Sequence, residues 1–226
     1  MIKNLLTFNV SLSNQYQWKF RARVPSKNGA HRLMLLLHGL TGNENSMWIF
    51  ADRLPEDVVL IAPRGLFVSP YGGYGWTSQN VGAWPKLEDF RSSVSKLHEL
   101  LVKNNEPLIR FGVDLSLPIN MVGFSQGAAL MYSFALQYPD LVGSMAGLSG
   151  LLPDETEPLV DKRPLVGHSI FIAHGTKDKL VPVERTRDSV NKLRLSGAQV
   201  TYCEEDVGHK LGTGCYRGLK TFFLNN

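Results

Sequence analysis

The sequence predicts an α/β fold built on a mostly parallel sheet, and two observations carry that prediction. Short runs at 33–37, 58–62, 119–122 and 169–174 are apolar with little alternation, the pattern of strands covered on both faces. Segments of helical period fall between them, so strands and helices alternate along the chain.

The elements follow in order. Residues 4–12 and 16–24 alternate and are rich in aromatic and branched side chains, and Ser13-Asn14-Gln15 reads as the turn of an antiparallel entry hairpin. Pro25 to Ala30 is a loop. The strand Leu33–Leu37 runs into His38-Gly39-Leu40-Thr41-Gly42. Asn43 to Leu54 is expected to be helical, capped by Asn43 or Asn45, with Trp48, Phe50, Ala51 and Leu54 facing inward. Val58–Ala62 is a buried strand stopped by Pro63. Arg64 to Pro85 has neither period, and holds Phe67, Tyr71, Tyr74, Trp76 and Trp84; a loop of this length is usually functional or mobile. Its Gly72-Gly73-Tyr74-Gly75 cluster reads as loop flexibility. Lys86 to Lys103 is an amphipathic helix, with Phe90, Val94, Leu97 and Leu101 on one face. The strand entering Gly123 precedes a helix of small residues that Pro139 ends. Val142–Leu148 is a strand, 149–168 a loop and Ser169–His174 a strand. Val183–Ser196 is a helix stopped at Gly197. Gln199–Cys203 is the last strand and Thr213–Leu224 the closing helix.

Size and composition narrow the function classes. At 226 residues the chain is expected to form one domain, 1–226. A hydrophobic content of 43% with 19% charged residues fits a folded globular protein. No apolar run approaches the length of a bilayer span, and the N-terminus lacks the apolar core of a signal peptide, so stable membrane insertion is not expected and the cytoplasm is the expected location. The net charge of +4 is spread along the chain without a Lys/Arg block, which argues against nucleic acid as a partner. Cys203 and Cys215 are expected to be free thiols outside the chemistry. No H-x-x-x-H or C-x-x-C spacing, phosphate loop or dinucleotide fingerprint occurs, so neither a metal nor a cofactor is expected.

The most informative stretch is Gly123-Phe124-Ser125-Gln126-Gly127, a G-x-S-x-G set between a strand and a helix. A serine at such a turn projects its hydroxyl from the sheet edge, and flanking side chains would clash, which Gly123 and Gly127 avoid. The N–H of Gln126, at the positive end of the helix, is a candidate oxyanion donor. A hydroxyl nucleophile needs a base that works near neutral pH. Loops beyond the carboxyl ends of parallel strands are where reactive groups collect. His209 follows the last strand and is the favoured base. His38 directly precedes the glycine turn and reads as a structural hydrogen-bonder, and His174 as packing beneath the acid loop. Asp178, in Gly175-Thr176-Lys177-Asp178, is the favoured acid; Glu204, Glu205, Asp206, Asp154 and Asp161 are weaker candidates. The second oxyanion donor is assigned to Leu40, with Thr41 in reserve.

At these residues the chain resembles the phospholipase/carboxylesterase family of α/β-hydrolases, which includes the acyl-protein thioesterases. The resemblance rests on LLLHGLTGNENSM, IAPRG at 61–65, GFSQGAAL, HGTKDKLVP and VGH, and spans about Leu33 to the C-terminus. It implies an α/β-hydrolase fold with helices on both faces of the sheet and no large lid. It also implies a catalytic triad of Ser125, Asp178 and His209, with Leu40 and Gln126 as oxyanion donors. The chain carries Thr41-Gly42 where many members have Gly-Asp or Gly-Gly, and its 64–85 loop is rich in aromatics. That loop looks more like the bacterial esterase branch than the thioesterases. The implied activity is hydrolysis of small-molecule carboxylic esters of short to medium acyl chain through an acyl-enzyme. Thr41, Phe67, Tyr74 and Trp76 are candidate substrate contacts, and a homodimer is compatible with the resemblance. An acyl-thioesterase or lysophospholipase would use the same triad, as would a peptidase or acyltransferase. A non-catalytic ligand-binding protein of the same fold is the alternative from another class.

Overall fold

A computed structural model describes residues 6–11, 18–26, 29–78 and 84–225. Ten strands and six α-helices are described: β1 (Leu6–Ser11), β2 (Lys19–Val24), β3 (Leu33–Leu37), β4 (Val59–Pro63), β5 (Phe67–Val68), β6 (Tyr74–Gly75), α1 (Arg91–Val102), α2 (Glu106–Arg110), β7 (Ile119–Phe124), α3 (Gln126–Gln137), β8 (Val142–Leu148), α4 (Glu157–Val160), β9 (Ser169–Gly175), α5 (Val183–Leu195), β10 (Gln199–Glu205) and α6 (Thr213–Leu224). Eight strands form one sheet in the order β1-β2-β4-β3-β7-β8-β9-β10. β1 pairs antiparallel with β2, and β2 with β4. From β4 to β10 every neighbouring pair is parallel. The turn expected at 13–15 lies outside the described residues.

The continuous apolar strands are explained by cover on both faces. In β3, Leu33, Leu35 and Leu37 face one core with Val94 and Leu97 of α1 and Phe134 of α3. Met34 and Leu36 face the other, with Phe50 and with Leu219 and Phe222 of α6. Because strand side chains alternate, a strand buried on both sides must be apolar at every position.

Several expectations are refined. The segment expected as a helix over 43–54 is a 3-10 helix, Ser46–Arg53; Asn45 sits at its N-cap position without a side-chain capping bond, while Asn43 Oδ1 accepts the Asn45 N–H. Phe50, Ala51 and Leu54 are buried as expected. Trp48 is half-buried, with the Arg21 guanidinium 4.3 Å from its ring centroid. The 64–85 stretch contains a small antiparallel hairpin, β5–β6, closed through Gly72 and Gly73 at positive φ. The glycine cluster is therefore a defined turn rather than loose chain. The shortness of α2 and α4 explains why no helical period marks them.

The expectation of free thiols is overturned: Cys203, in β10, and Cys215, in the first turn of α6, form a disulfide with Cα atoms 5.8 Å apart. The bridge closes a loop of sequence separation 12 that contains His209. Loop closure of this size stabilises a fold chiefly by restricting the unfolded chain, by about 3 kcal/mol. Reduction is therefore expected to lower the urea-unfolding midpoint by that equivalent. Coincident unfolding curves with and without reductant would contradict it.

Candidate active site

The turn from β7 into α3 sets the geometry. Ser125 adopts φ 52° and ψ −118°, a conformation that L-residues reach only under constraint. Its N–H donates to the Leu148 carbonyl at 2.8 Å, which fixes the turn against β8. A Cβ at Gly123 would collide with the Gly127 carbonyl and the Ala128 backbone, and one at Gly127 with the Leu37 and His38 carbonyls. The two glycines of the motif are therefore steric requirements. Gln126 opens α3, where backbone N–H groups lack acceptors within the helix.

A second turn follows β3. The Gly42 N–H donates to the Gly39 carbonyl, and Thr41 is at φ 67°. His38 holds this turn from below. Its Nε2 accepts the Gly65 N–H at 2.8 Å, so the ring proton is on Nδ1 and donates to the Gly39 carbonyl at 2.7 Å. Burial pushes the His38 imidazole pKa down, against the pull of that carbonyl. Trp76 donates its indole N–H to the His38 carbonyl at 2.7 Å and lies against the imidazole, with centroids 4.9 Å apart. The Gln126 side chain joins the two turns to the aromatic segment. Its Oε1 accepts the Trp76 N–H at 2.8 Å and its Nε2 donates to Thr77 Oγ1 at 3.1 Å.

The candidate acid and base lie beyond β9 and β10. Asp178 is buried; its Oδ1 accepts the Leu180 and Val181 N–H groups at 2.9 and 3.0 Å. Its Oδ2 is 2.7 Å from His209 Nδ1. That contact places the His209 proton on Nδ1 and leaves Nε2 free to accept another. The two loops are joined by N–H bonds from Thr176 to the Glu205 carbonyl and from Lys177 to the Val207 carbonyl. A Cβ at Gly175 would meet the Val207 and Gly208 carbonyls, so this glycine permits the close approach. Phe124, the residue before Ser125, packs against the His209 ring with centroids 5.0 Å apart. Four of the five weaker acid candidates are engaged elsewhere: Glu204 with Arg187, Glu205 with the Gly214 and Cys215 N–H groups, Asp206 with Lys177, and Asp154 with Arg185. The Arg187 guanidinium holds the Glu204 carboxyl down at about 2.

A cavity of about 400 Å³ opens at Ser125, walled by Leu40, Gln126, Trp84, Leu151 and Val181. The structure thus brings Leu40, Ser125 and Gln126 to one space and pairs Asp178 with His209. Among the described residues it does not bring Thr41, Phe67, Tyr74 or Trp76 to the cavity wall. Trp76 is fully buried beneath the turn after β3. Tyr74 lies under the Arg64 guanidinium and accepts its Nη1–H at 3.0 Å, while Arg64 also binds the buried Glu44 through two 2.7 Å bonds. Phe67 pairs in the β5–β6 hairpin, and Thr41 is exposed. Sequence reasoning passed over Trp84, Leu151 and Val181 as wall residues. The last two follow β8 and β9, where the rule that used strand ends to find reactive groups would also have found them. The one metal-type cluster among the described residues is Cys203, Glu205 and Cys215, whose sulfurs are bonded to each other.

An ester carbonyl in this cavity would meet the constrained hydroxyl of Ser125 beside the start of α3. The profile of the family described as Phospholipase/Carboxylesterase matches residues 21–222. MhqD of Bacillus subtilis is 25% identical over 194 residues, covering 82% of this chain and 88% of its own. Acyl-protein thioesterase 1 of Yarrowia lipolytica is 28% identical over 179 residues, covering 70% and 74%. The structure of a carboxylesterase from Mesorhizobium loti superposes with a TM-score of 0.81 at 21% identity, covering 97% of this chain and 99% of that one. That likeness shows the fold.

The buried histidines give stability a pH dependence. His38 and His174 both have pKa values pushed down by burial, so the unfolded chain takes up protons more readily than the folded one. Stability from this source is fully present above the unfolded value of about 6.5 and declines as pH falls from there toward the lowered folded values. The urea midpoint is expected to drop between about pH 7.5 and about pH 5.5, and His38→Gln to weaken that dependence. An equal pH slope in the variant would remove His38 from the account.

Proposed function

The chain belongs to the phospholipase/carboxylesterase family, and from that premise we propose that it is a serine hydrolase of carboxylic esters, with Ser125, His209 and Asp178 as its triad. The observation that carries the reading is the buried Asp178 carboxylate 2.7 Å from His209, whose ring packs on Phe124, the residue before the constrained Ser125. Ser125 Oγ attacks the ester carbonyl while His209 Nε2 takes its proton. Asp178 holds the imidazole in the reactive tautomer and stabilises its charged form. The amides of Gln126 and Leu40 receive the developing oxyanion. His209 returns the proton to the leaving alcohol. It then takes a proton from water, which attacks the acyl-enzyme, and passes that proton to Ser125 Oγ as the acyl–Oγ bond breaks and the acid leaves.

The cavity volume supports acyl groups of short to medium length, with Trp84 bounding the space. The thioesterase named among the relatives supports acyl thioesters as a second substrate class for the same residues. Among the described residues no helix is long and apolar enough to cross a membrane. The Cys203–Cys215 bridge, a bond that oxidising compartments favour, weighs against the cytoplasmic location expected from the N-terminus.

Hydrolysis of p-nitrophenyl esters from acetate to palmitate tests the proposal. Activity is expected to peak at the short to medium esters and to fall by roughly 10⁴-fold or more in Ser125→Ala. Trp84→Ala is expected to move the optimum toward longer chains. Full activity in pure, folded Ser125→Ala would sink the mechanism, and a folded wild type inert across the series would favour a ligand-binding role.

A further inference from the structure

One buried titratable group next to the triad has no part in the mechanism above. His174, near the end of β9, is 2% exposed. Its Nε2 lies 2.8 Å from the Val181 carbonyl and 3.4 Å from Asp178 Oδ2, the oxygen that also holds His209. Its Nδ1 lies 2.8 Å from Thr186 Oγ1, in α5, and that hydroxyl reaches the Gly150 carbonyl at 2.8 Å. Gly150 lines the cavity beside Leu151, and Val181 lines it from the acid loop. One imidazole therefore touches the acid, the loop that carries the acid, and, through Thr186, the opposite wall of the cavity.

We propose that His174 is a positioning residue for the proposed esterase, fixing Asp178 and its loop to Thr186 of α5 and tuning the hold of Asp178 on His209. The inference rests on the assignment of Asp178 and His209 as acid and base.

The proton count gives the proposal its sign. Nε2 faces two acceptors, so it carries a proton whether the ring is neutral or charged. In the neutral ring Nδ1 accepts the Thr186 proton; in the charged ring Nδ1–H donates to Thr186, whose own proton goes to Gly150. In either state a positive N–H end faces Asp178 Oδ2 and shares its charge. The charged groups that face His174 are Asp178, His209 and, from β10, Glu204. Burial favours the neutral ring, with the Val181 carbonyl and Asp178 pulling the other way. Without His174, the charge on Oδ2 is answered by His209 alone. The His209 imidazolium is then held more tightly and its pKa rises.

The test is an NMR titration of the His209 ring in wild type, His174→Phe and His174→Gln, alongside kcat and KM for a p-nitrophenyl ester. In His174→Phe the His209 pKa is expected to rise by about half a unit or more, with the acid limb of kcat/KM moving up by the same amount. Loss of loop position is expected to lower kcat by roughly ten- to hundredfold with little change in KM. In His174→Gln the amide N–H can occupy the Nε2 position, so most of both effects should be restored. If His174→Phe does not fold, Thr186→Val, which removes only the Nδ1 partner, is expected to shift His209 in the same direction by less. A His209 titration unchanged in every folded variant overturns the proposal. Because the titration needs no turnover, it reads the role of His174 even if the wild type hydrolyses no ester, an outcome that would count against the esterase reading alone.

Discussion

The close approach of α3 to the carboxyl ends of β3 and β7 is the constraint on which the rest of the structure depends. At Gly127 the helix backbone lies against the Leu37 and His38 carbonyls, and at Gly123 the strand lies against the helix. With no room for a wider turn, the chain reverses at one residue, and Ser125 takes a positive φ. Such a conformation costs on the order of 1–3 kcal/mol. Ten of the twelve residues of α3 are buried, among them Leu130, Met131, Phe134 and Leu136, and each large apolar side chain contributes about 1.5–3 kcal/mol on burial. The helix therefore outweighs the strain it imposes, and the serine is held in place by the core rather than by its own contacts.

That approach creates a second problem, which the aromatic segment solves. Pressing α3 onto the end of β3 buries His38 and Gly39 at the start of the turn after β3, with carbonyls that must find donors. Trp76 supplies its indole N–H to the His38 carbonyl, His38 supplies Nδ1–H to the Gly39 carbonyl, and Gln126 reaches back to the Trp76 amide. The same glutamine whose main chain is a candidate oxyanion donor thus ties both turns together through its side chain.

Legibility in the sequence follows the range of the interaction. The strands β3, β4, β7 and β9 were readable because cover on both faces forces local apolar runs. The turn at Ser125 was readable because its steric demand falls on residues two positions away. Asp178 and His209 were readable as positions after strands, and the geometry pairs them. Trp76 was misassigned as a substrate contact because its partner, the His38 carbonyl, is 38 residues distant, and an aromatic in a glycine-rich loop looks the same whether it faces a ligand or a buried turn. The Cys203–Cys215 bridge was missed for a similar reason: the count of two and the lack of an export signal argued for thiols, while the bond depends on β10 and the start of α6 meeting in space.

The candidate acid and base, Asp178 and His209, pose a different problem from the serine, because they sit on loops whose ends the sheet fixes and whose tips it does not. Thirty-one residues separate Asp178 from His209, and the sheet carries them only as far as the adjacent ends of β9 and β10. Beyond that, Gly175 lets the base loop lie on the acid loop, and the Thr176 and Lys177 amides join the two. Each loop is then braced from its far side: the base loop by the disulfide to α6, and the acid loop by His174 and Thr186 against α5. A half-exposed imidazole can keep one orientation only if the buried carboxylate that directs it does not move. Bracing from both sides supplies that rigidity where secondary structure ends, so the elements surrounding the pair matter to its geometry as much as the pair itself.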